Sequence, residues 1–483
     1  MPGVAGADWE WDAAELRRHG HRVVDLLVEH LTTLPDRPVF RPYPRDLAEA
    51  RLAAPLPEQG RPADELLDEI AVTVLSWPLG NGHPRWAGWV NGPPSPVAVL
   101  TDALATAMNP SVAGGNHAAT YVEKQVVRWL GELLGLPGWG GLLVSGGSAA
   151  TVHALAAARH RATGGTVRDA GLDQATAPLT VYASDQAHSA VAKAVELLGL
   201  GAAALRVLPA DRDRRLPVDA LAAALATDRE RGARPMAVVA SAGTVNTGAI
   251  DPLAAVVDVC AAGGVWLHVD GAYGAPAVLD PRYAAELAPM AAADSLAVDA
   301  HKWLAVPYEA GAVLVRDEEG LRATFSRVPA YLREDSDPDG VSWLPWFSEY
   351  GTQQTRGFRA LKVWAALAHH GRAGYAETIG RDLDLAERLA ARVEAAPELT
   401  LTSRGLSVVT FRHVRPGVPA AELDRLNREM LRRVQLGGEA FLTGTELDGA
   451  FVLRACITNP RMRPGDTDRI VAAVERAAAQ TGR

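Results

Sequence analysis

The sequence predicts an α/β fold: a mainly parallel sheet covered by helices, preceded by an N-terminal helical arm and followed by a small C-terminal α+β domain. Three observations carry this expectation. From about residue 83 to residue 315, short apolar or β-branched runs alternate with Ala-rich helical stretches, the order that builds a parallel sheet with helices over its faces. The segment before it has amphipathic helical spacing but little apolar material for a core of its own. From about residue 400 the pattern changes to mixed strands and helices. At roughly 100–200 residues per domain, the 483 residues allow two to four units. We divide them into an arm (1–82), a large cofactor-binding domain (83–370) and a small domain (371–483).

Residues 13–32 place Leu and Val at helical spacing, with Arg, His and Glu on the other face. A Pro-rich connector follows from Leu34 to Pro44, and residues 63–79 give a second amphipathic helix. Such an arm buries its apolar stripe on another surface, either a second subunit or the parent domain. Strands are expected at Leu142–Val144, Leu179–Ala183, Met236–Ala240, Val265–Val269 and Ala310–Val315. Helices are expected between them at Ala149–Arg161, Ala187–Leu198, Val218–Ala226 and Leu253–Ala262. Residues 325–356 break the pattern with Asp, Pro and Gly and with Trp343, Trp346 and Phe347. Long loops in compact domains are often functional. Helices from about Phe358 to Ala368 and from about Tyr375 to Ala395 lead into the last unit. There strands are expected at Leu406–Phe411 and Phe451–Ala455, and helices at Ala420–Gln435 and Asp466–Ala479.

Composition bounds the function. The 48 Lys plus Arg against 57 Asp plus Glu give a formal charge of -9, which excludes a general nucleic-acid binder. Cys260 and Cys456 lie far apart, so neither a disulfide framework nor a Cys-based metal site is expected. A reducing, cytoplasmic compartment is the simplest expectation. The N-terminus lacks the apolar core of a signal peptide, and no run approaches the ~20 apolar residues of a membrane span.

Four segments at the ends of expected strands carry chemistry. In Leu142–Thr151 a strand runs into Ser145, Gly146, Gly147 and Ser148 and a helix starts at once. Glycine admits close backbone approach, and a helix N-terminus offers N–H groups to an anion; alone, such a turn is also an ordinary packing feature. His188 follows the second strand and alone would read as a capping histidine. Asp270 ends an apolar strand, where a carboxylate needs a cation or N–H partner. Lys302 follows another strand between His301 and Trp303; desolvation would lower its pKa and make it an amine nucleophile, although a snorkelling lysine is the plain alternative. Together the four fit pyridoxal 5'-phosphate. Its phosphate suits the helix N-terminus, its ring nitrogen a carboxylate, its aldehyde a lysine, and its ring face the flat imidazole.

On these residues the chain resembles the group II pyridoxal-phosphate decarboxylases, which include aromatic-L-amino-acid, histidine and glutamate decarboxylases of the aspartate-aminotransferase-like fold (fold type I). The matching stretches are His83-Pro-Arg-Trp-Ala-Gly-Trp89, Val144-Ser-Gly-Gly-Ser-Ala149, Ser184-Asp-Gln-Ala-His-Ser189, Ala242–Asp251, His268-Val-Asp-Gly-Ala-Tyr273, Asp299-Ala-His-Lys-Trp303 and Arg356–Trp364. The resemblance implies decarboxylation of an L-amino acid through an external aldimine and a quinonoid. Lys302 would form the internal aldimine, Asp270 would hold the pyridine nitrogen and His188 would stack on the ring. Ser145, Gly147, Ser148 and Ala149 would cradle the phosphate with Asp299. Thr244, Ala272 and His301 would lie against the cofactor. Arg85, Trp86, Trp89 and Phe347 would face the substrate. A homodimer with shared sites and an embracing arm is implied as well; no metal is.

Departures open alternatives. The family credits a loop tyrosine with protonating the product. Trp343 or Phe347 takes its place here, leaving Tyr350 or Tyr331 as substitutes. Members lacking that tyrosine divert the reaction to oxygen and release an aldehyde, which is the close rival; β-elimination is a further one. Arg356 is followed by Gly357 where the family has paired arginines, Val245 stands where many members have threonine, and Asp299 where some have asparagine.

Overall fold

A computed structural model describes residues 10–172, 177–328, 340 and 346–481. Tyr331 and Trp343 lie outside the described residues.

The chain opens with a helix, Ala13–Thr33, capped by the Asp12 carboxylate, which accepts from the Ala14 and Glu15 amides at 2.7 and 2.8 Å. Only His19 and Leu26 of this helix are buried. Leu16, Val23, Val24 and Val28 stand exposed. The helix Ala63–Ile70 continues into a wider turn at Ala71–Leu75, which also leaves Val72 and Val74 exposed.

Seven strands form the main sheet: β1 (Gly140–Val144), β2 (Leu179–Ser184), β3 (Leu205–Leu208), β4 (Arg234–Ser241), β5 (Trp266–Asp270), β6 (Ser295–Asp299) and β7 (Gly311–Val315). Their order is β1-β7-β6-β5-β4-β2-β3. β7 pairs antiparallel with both β6 and β1, and the remaining pairs are parallel. The reversal of β7 has a local cause. The connection from Asp299 to Gly311 contains no helix to carry the chain back across the sheet, and a parallel return needs such a crossover. All strands except β7 therefore end at one edge, where sites of such sheets form. Ser145, Gly271 and Ala300 follow β1, β5 and β6 there.

Four antiparallel strands form the second sheet, β8 (Leu399–Gly405), β9 (Val408–His413), β10 (Thr443–Leu447) and β11 (Ala450–Cys456), in the order β10-β11-β9-β8. The helices Ala420–Gly437 and Pro464–Gln480 pack on it. The two helices expected after residue 358 are Ala360–Glu394, interrupted at Gly371, whose φ of 62° no ordinary helical residue adopts. The sequence does not announce β3, β8 or β10. β3 is a short, partly exposed edge, and β8 and β10 are rich in Ser, Thr and Gly. The helices Pro96–Met108 and Ala118–Leu133 are further additions.

The stretch Arg85–Ala87 joins the second sheet's side of the molecule. The amide of Ala87 donates to Phe441 O at 2.9 Å, Cys456 N donates to Ala87 O at 2.9 Å, and Asn459 Nδ2 reaches His83 O at 2.8 Å. Among the described residues no helix is long and apolar enough to cross a membrane.

Candidate active site

A cavity of about 660 Å³ opens at the strand-end edge of the main sheet, with β10 and β11 closing its other side. Its wall contains Ser145, Gly147, Ser148, Ala149, His188, Thr244, Asp270, Ala272, Asp299, His301, Lys302 and Trp89. The sheet does the gathering, since all of these residues except Trp89 come from the ends of β1, β2, β4, β5 and β6.

Lys302 occupies the centre of the charge arrangement. Its Nζ lies 2.9 Å from Asp299 Oδ2, on the turn that follows β6. Burial pushes the Lys302 pKa down, but the charges of Asp299 and Asp270 and the hydrogen bond to Asp299 outweigh it, and the net shift is upward from 10.5. This reverses the lowered pKa expected from desolvation alone: two carboxylates offset the lost water. His301 lies beside the same carboxylate, Nε2 to Oδ2 3.7 Å, and burial lowers its pKa, so its imidazole is neutral at pH 7. The amide of Ala310 donates to His301 Nδ1 at 3.1 Å, which orients the ring.

The remaining groups fit pyridoxal 5'-phosphate. The helix Gly147–Ala162 begins without a side-chain cap, leaving its first N–H groups for an anion. A Cβ on Gly147 would sit 2.9 Å from Ala272 Cβ and 3.2 Å from Asp299 Oδ2, so the wall there is shaped for bare backbone. Asp299 Oδ1 is buried and lacks a hydrogen-bond partner among the described residues, which leaves an acceptor open toward a ligand. Asp270 accepts from Ala272 N at 3.2 Å and keeps its second oxygen for a protonated ring nitrogen. His188 presents its ring to the cavity, with Nδ1 accepting from Ala190 N at 3.1 Å. Thr244 is buried and holds its loop together, accepting from Ala249 N at 3.2 Å and meeting Thr247 Oγ1 at 3.0 Å.

Sequence reasoning missed several wall residues, Arg454, Asn91 and Tyr308 among them. Arg454, in the middle of β11, is 4% exposed and has no carboxylate within 4.0 Å among the described residues. Its Nε donates to Val245 O at 2.8 Å and its Nη1 to Trp89 O at 2.9 Å, while Nη2 is buried without a partner. A buried cation of this kind calls for an anion. The sequence held one signal, an arginine inside the apolar run Phe451–Cys456. Trp89 itself has φ of 43°, a left-handed conformation that is strained for a bulky residue; the Arg454 bond to its carbonyl helps hold it. Asn91 and Tyr308 also line the cavity.

Four expected site residues lie elsewhere. Trp86 is 1% exposed and stacks on Phe441 at 4.2 Å between centroids, so it is core. Arg85 turns away, its Nε donating to Glu439 O at 2.6 Å. Phe347 packs under the Arg356 guanidinium at 5.2 Å, and Tyr350 sits beside it, 6.2 Å between rings. That turn is pinned away from the cavity because Glu349 pairs with Arg322 at 2.9 Å and accepts from Ser326 Oγ at 2.7 Å. Burial pushes the Tyr350 phenol up to about 12. Arg356 is likewise buried, ion-paired with Glu123 and bonded to Val112 O and Leu143 O, which makes it structural.

Comparisons with known proteins agree with this geometry. Residues 44–414 match the pyridoxal-dependent decarboxylase conserved domain. An aromatic-L-amino-acid decarboxylase of Bacillus atrophaeus is 35% identical over 454 residues, covering 93% of this chain and 92% of its own. A phenylacetaldehyde synthase of Arabidopsis thaliana is 29% identical over 465 residues, covering 93% of each. The crystal structure of Oryza sativa TDC with PLP and tryptamine superposes with a TM-score of 0.89 at 26% identity, over 97% of this chain and 98% of that one.

Proposed function

Because this chain belongs to the pyridoxal-dependent decarboxylase family, its activity is amino-acid decarboxylation with pyridoxal 5'-phosphate, and we propose that its substrate is an aromatic L-amino acid. The observation that carries the proposal is the pairing in one cavity of Lys302, held between two carboxylates, with Arg454, a buried cation that has no carboxylate within 4.0 Å among the described residues. The aromatic relative in Bacillus atrophaeus and the aromatic wall residues Trp89 and Tyr308 support the side-chain class.

Bound in this cavity, the cofactor supplies an aldehyde that joins to an amine and a protonated ring that takes up the electron pair of a breaking bond. The chain's residues prepare that chemistry. The first N–H groups of Gly147–Ala162 hold the phosphate. Asp270 keeps a proton on the ring nitrogen by its charge. His188 covers a ring face. Lys302 must lose a proton before it acts as a nucleophile, and Asp299 is the neighbouring acceptor. Arg454 Nη2 receives the substrate carboxylate and so fixes which bond stands ready to break.

The molecule works as a homodimer in this reading. The exposed apolar residues of Ala13–Thr33, together with Leu100, Leu104 and Met108 of Pro96–Met108, form apolar faces that a second copy would cover. Sedimentation at micromolar concentration tests this, and a monomer would refute it. The division into arm, large and small domains at 82 and 370 fits the break at Gly371. A reducing compartment suits the two separated, buried thiols.

The Arabidopsis thaliana synthase gives a second reading, aldehyde formation. Incubation of the cofactor-loaded protein with a panel of L-amino acids, following carbon dioxide, amine, aldehyde and peroxide together, separates the two. An aromatic amine formed in step with carbon dioxide supports the proposal. Turnover confined to acidic or aliphatic amino acids would overturn it.

A further inference from the structure

One loop serves two cavities. Thr244, Val245 and Asn246 line the active cavity, while Thr247, Gly248, Ala249 and Ile250 line a second one of about 430 Å³. That volume falls in the range of small-molecule sites, about 300–1,000 Å³. The rest of its wall comes from the segment Arg212–Arg215, which follows β3, from the end of β8, and from Tyr283 and Glu286.

The wall carries an excess of positive charge. Four arginines, Arg212, Arg214, Arg215 and Arg404, line it against two carboxylates, Asp213 and Glu286. Asp213 pairs with Arg212 at 3.8 Å, and both side chains are exposed, so that pair is weak. Arg215 lies 3.5 Å from Glu286, but its Nε is buried without a hydrogen-bond partner among the described residues. Arg404, on β8, has no ion-pair partner among the described residues. It lies close enough to Tyr283 to draw that phenol's pKa down against the larger effect of burial. The hydroxyls of this wall are committed to the protein. Thr402 Oγ1 donates to Thr410 Oγ1 at 2.8 Å, Ser403 Oγ meets the same atom at 2.9 Å, and Thr247 Oγ1 meets Thr244 Oγ1 at 3.0 Å. The side-chain donors left for a ligand are guanidinium groups, whose planar forks match the oxygens of a phosphate.

The arginine segment is tied to the active cavity at two points. The buried Asp251 carboxylate accepts from Leu216 N and from Ser241 N, both at 2.7 Å. It thereby joins the segment to the end of β4, where the shared loop starts. Arg214 holds both oxygens of Asp448, on the turn between β10 and β11. That hairpin carries Arg454, whose Nε donates to Val245 O in the shared loop at 2.8 Å. Gly248 has a φ of 72°, and a Cβ there would sit 2.1 Å from Gly405 O, so the loop packs backbone to backbone on the end of β8. An anion that draws on Arg214 competes with Asp448 and loosens the hold on the hairpin that presents Arg454.

We propose that this arginine-lined cavity binds a phosphate group, free or esterified to a small molecule, and that its occupancy weakens substrate binding in the active cavity. The second half rests on the decarboxylation reading; the first half does not. The probes are inorganic phosphate and glycerol 3-phosphate, applied to the cofactor-loaded protein, whose own phosphate cradle is filled. Isothermal titration calorimetry is expected to show saturable binding, and the tighter of the two probes identifies the free or the esterified form. Arg404→Ala is expected to weaken that binding at least about tenfold, the loss of one charge-assisted contact, and Arg215→Gln to weaken it as well. Binding of neither probe, or native affinity in both variants, would overturn the site. With an aromatic L-amino acid, the KM for carbon dioxide release is expected to rise about fivefold or more at saturating probe, the lower end of ordinary coupling between sites. The rise is expected to vanish in Arg404→Ala. An unchanged KM in the native protein would overturn the coupling. So would a rise that persists in Arg404→Ala, because the probe would then be competing at Arg454 itself. Absence of carbon dioxide from the native protein would overturn the decarboxylation reading and the coupling with it, while the calorimetry still decides the site.

Discussion

Asp299→Asn tests the electrostatics of the lysine corner. The Asp299 carboxylate lies 2.9 Å from Lys302 Nζ, and the lysine side chain keeps 25% of its exposure. An opposite charge this close moves a pKa by about 1–3 units, or about 1.4–4 kcal/mol. Burial acts on Lys302 in the other direction and remains in the variant, as does the weaker pull of Asp270. The substitution is close to isosteric, so the Lys302 pKa should fall by about 1–3 units, from above 10.5 to below it. A lysine whose folded pKa is raised contributes stability that is complete below 10.5 and is lost as pH rises through the folded value. The variant should therefore be less stable than the native protein at neutral pH, by up to about 4 kcal/mol, and the gap should close at strongly alkaline pH. Competitive amine labelling of the cofactor-free protein, with the Lys302 peptide quantified by mass spectrometry across pH, reads the titration directly. An unchanged or higher midpoint would refute the reasoning, because burial and Asp270 would then account for Lys302 without Asp299.

Gly147→Ala should weaken cofactor binding by roughly 5- to 150-fold, the cost of about 1–3 kcal/mol for forcing a methyl into a packed wall; it would meet Ala272 Cβ at 2.9 Å. Fluorescence titration with pyridoxal 5'-phosphate checks this, and native affinity would contradict it. Arg454→Lys keeps the charge but cannot bridge Val245 O and Trp89 O while offering a free N–H. KM should rise roughly 10- to 150-fold, from about 1.5–3 kcal/mol per charge-assisted bond, and an unchanged KM would remove Arg454 from carboxylate binding. Burial raises the Asp382 carboxyl from 3.8 to about 7, so its favourable contribution is present below 3.8 and lost as pH rises through about 7. Asp382→Asn keeps an acceptor for Trp303 Nε1, now at 3.0 Å, and should raise Tm more at pH ~8.5 than at pH ~5. Equal Tm gains at the two pH values would contradict the assignment.

What was legible in the sequence was chemistry placed at strand ends. Asp270 and Lys302 stand out because a charge directly after an apolar strand has few bland explanations, and the strand runs themselves place β1, β2, β4, β5 and β7 to within a few residues. What was not legible depended on partners distant in the chain. Trp86 reads as pocket-lining until Phe441 is seen stacked on it. Tyr350 reads as a replacement acid until Glu349 and Arg322 are seen holding its turn away from the cavity. Arg454 lies in a segment that reads as an ordinary strand, and only its burial without a carboxylate marks it. The Lys302 pKa was misjudged because Asp299, three residues upstream, reads as a phosphate contact rather than as the partner of the lysine, and the further charge of Asp270 arrives through the pairing of β5 with β6.

The central claim is that Lys302 carries the cofactor chemistry in this cavity. Borohydride reduction of the protein loaded with pyridoxal 5'-phosphate, followed by peptide mapping, tests it most directly. The account predicts one pyridoxyl group per chain, on Lys302, with both the label and carbon dioxide release abolished in Lys302→Ala. A label on Lys193 or Lys362, or carbon dioxide released at the native rate by Lys302→Ala, would contradict it.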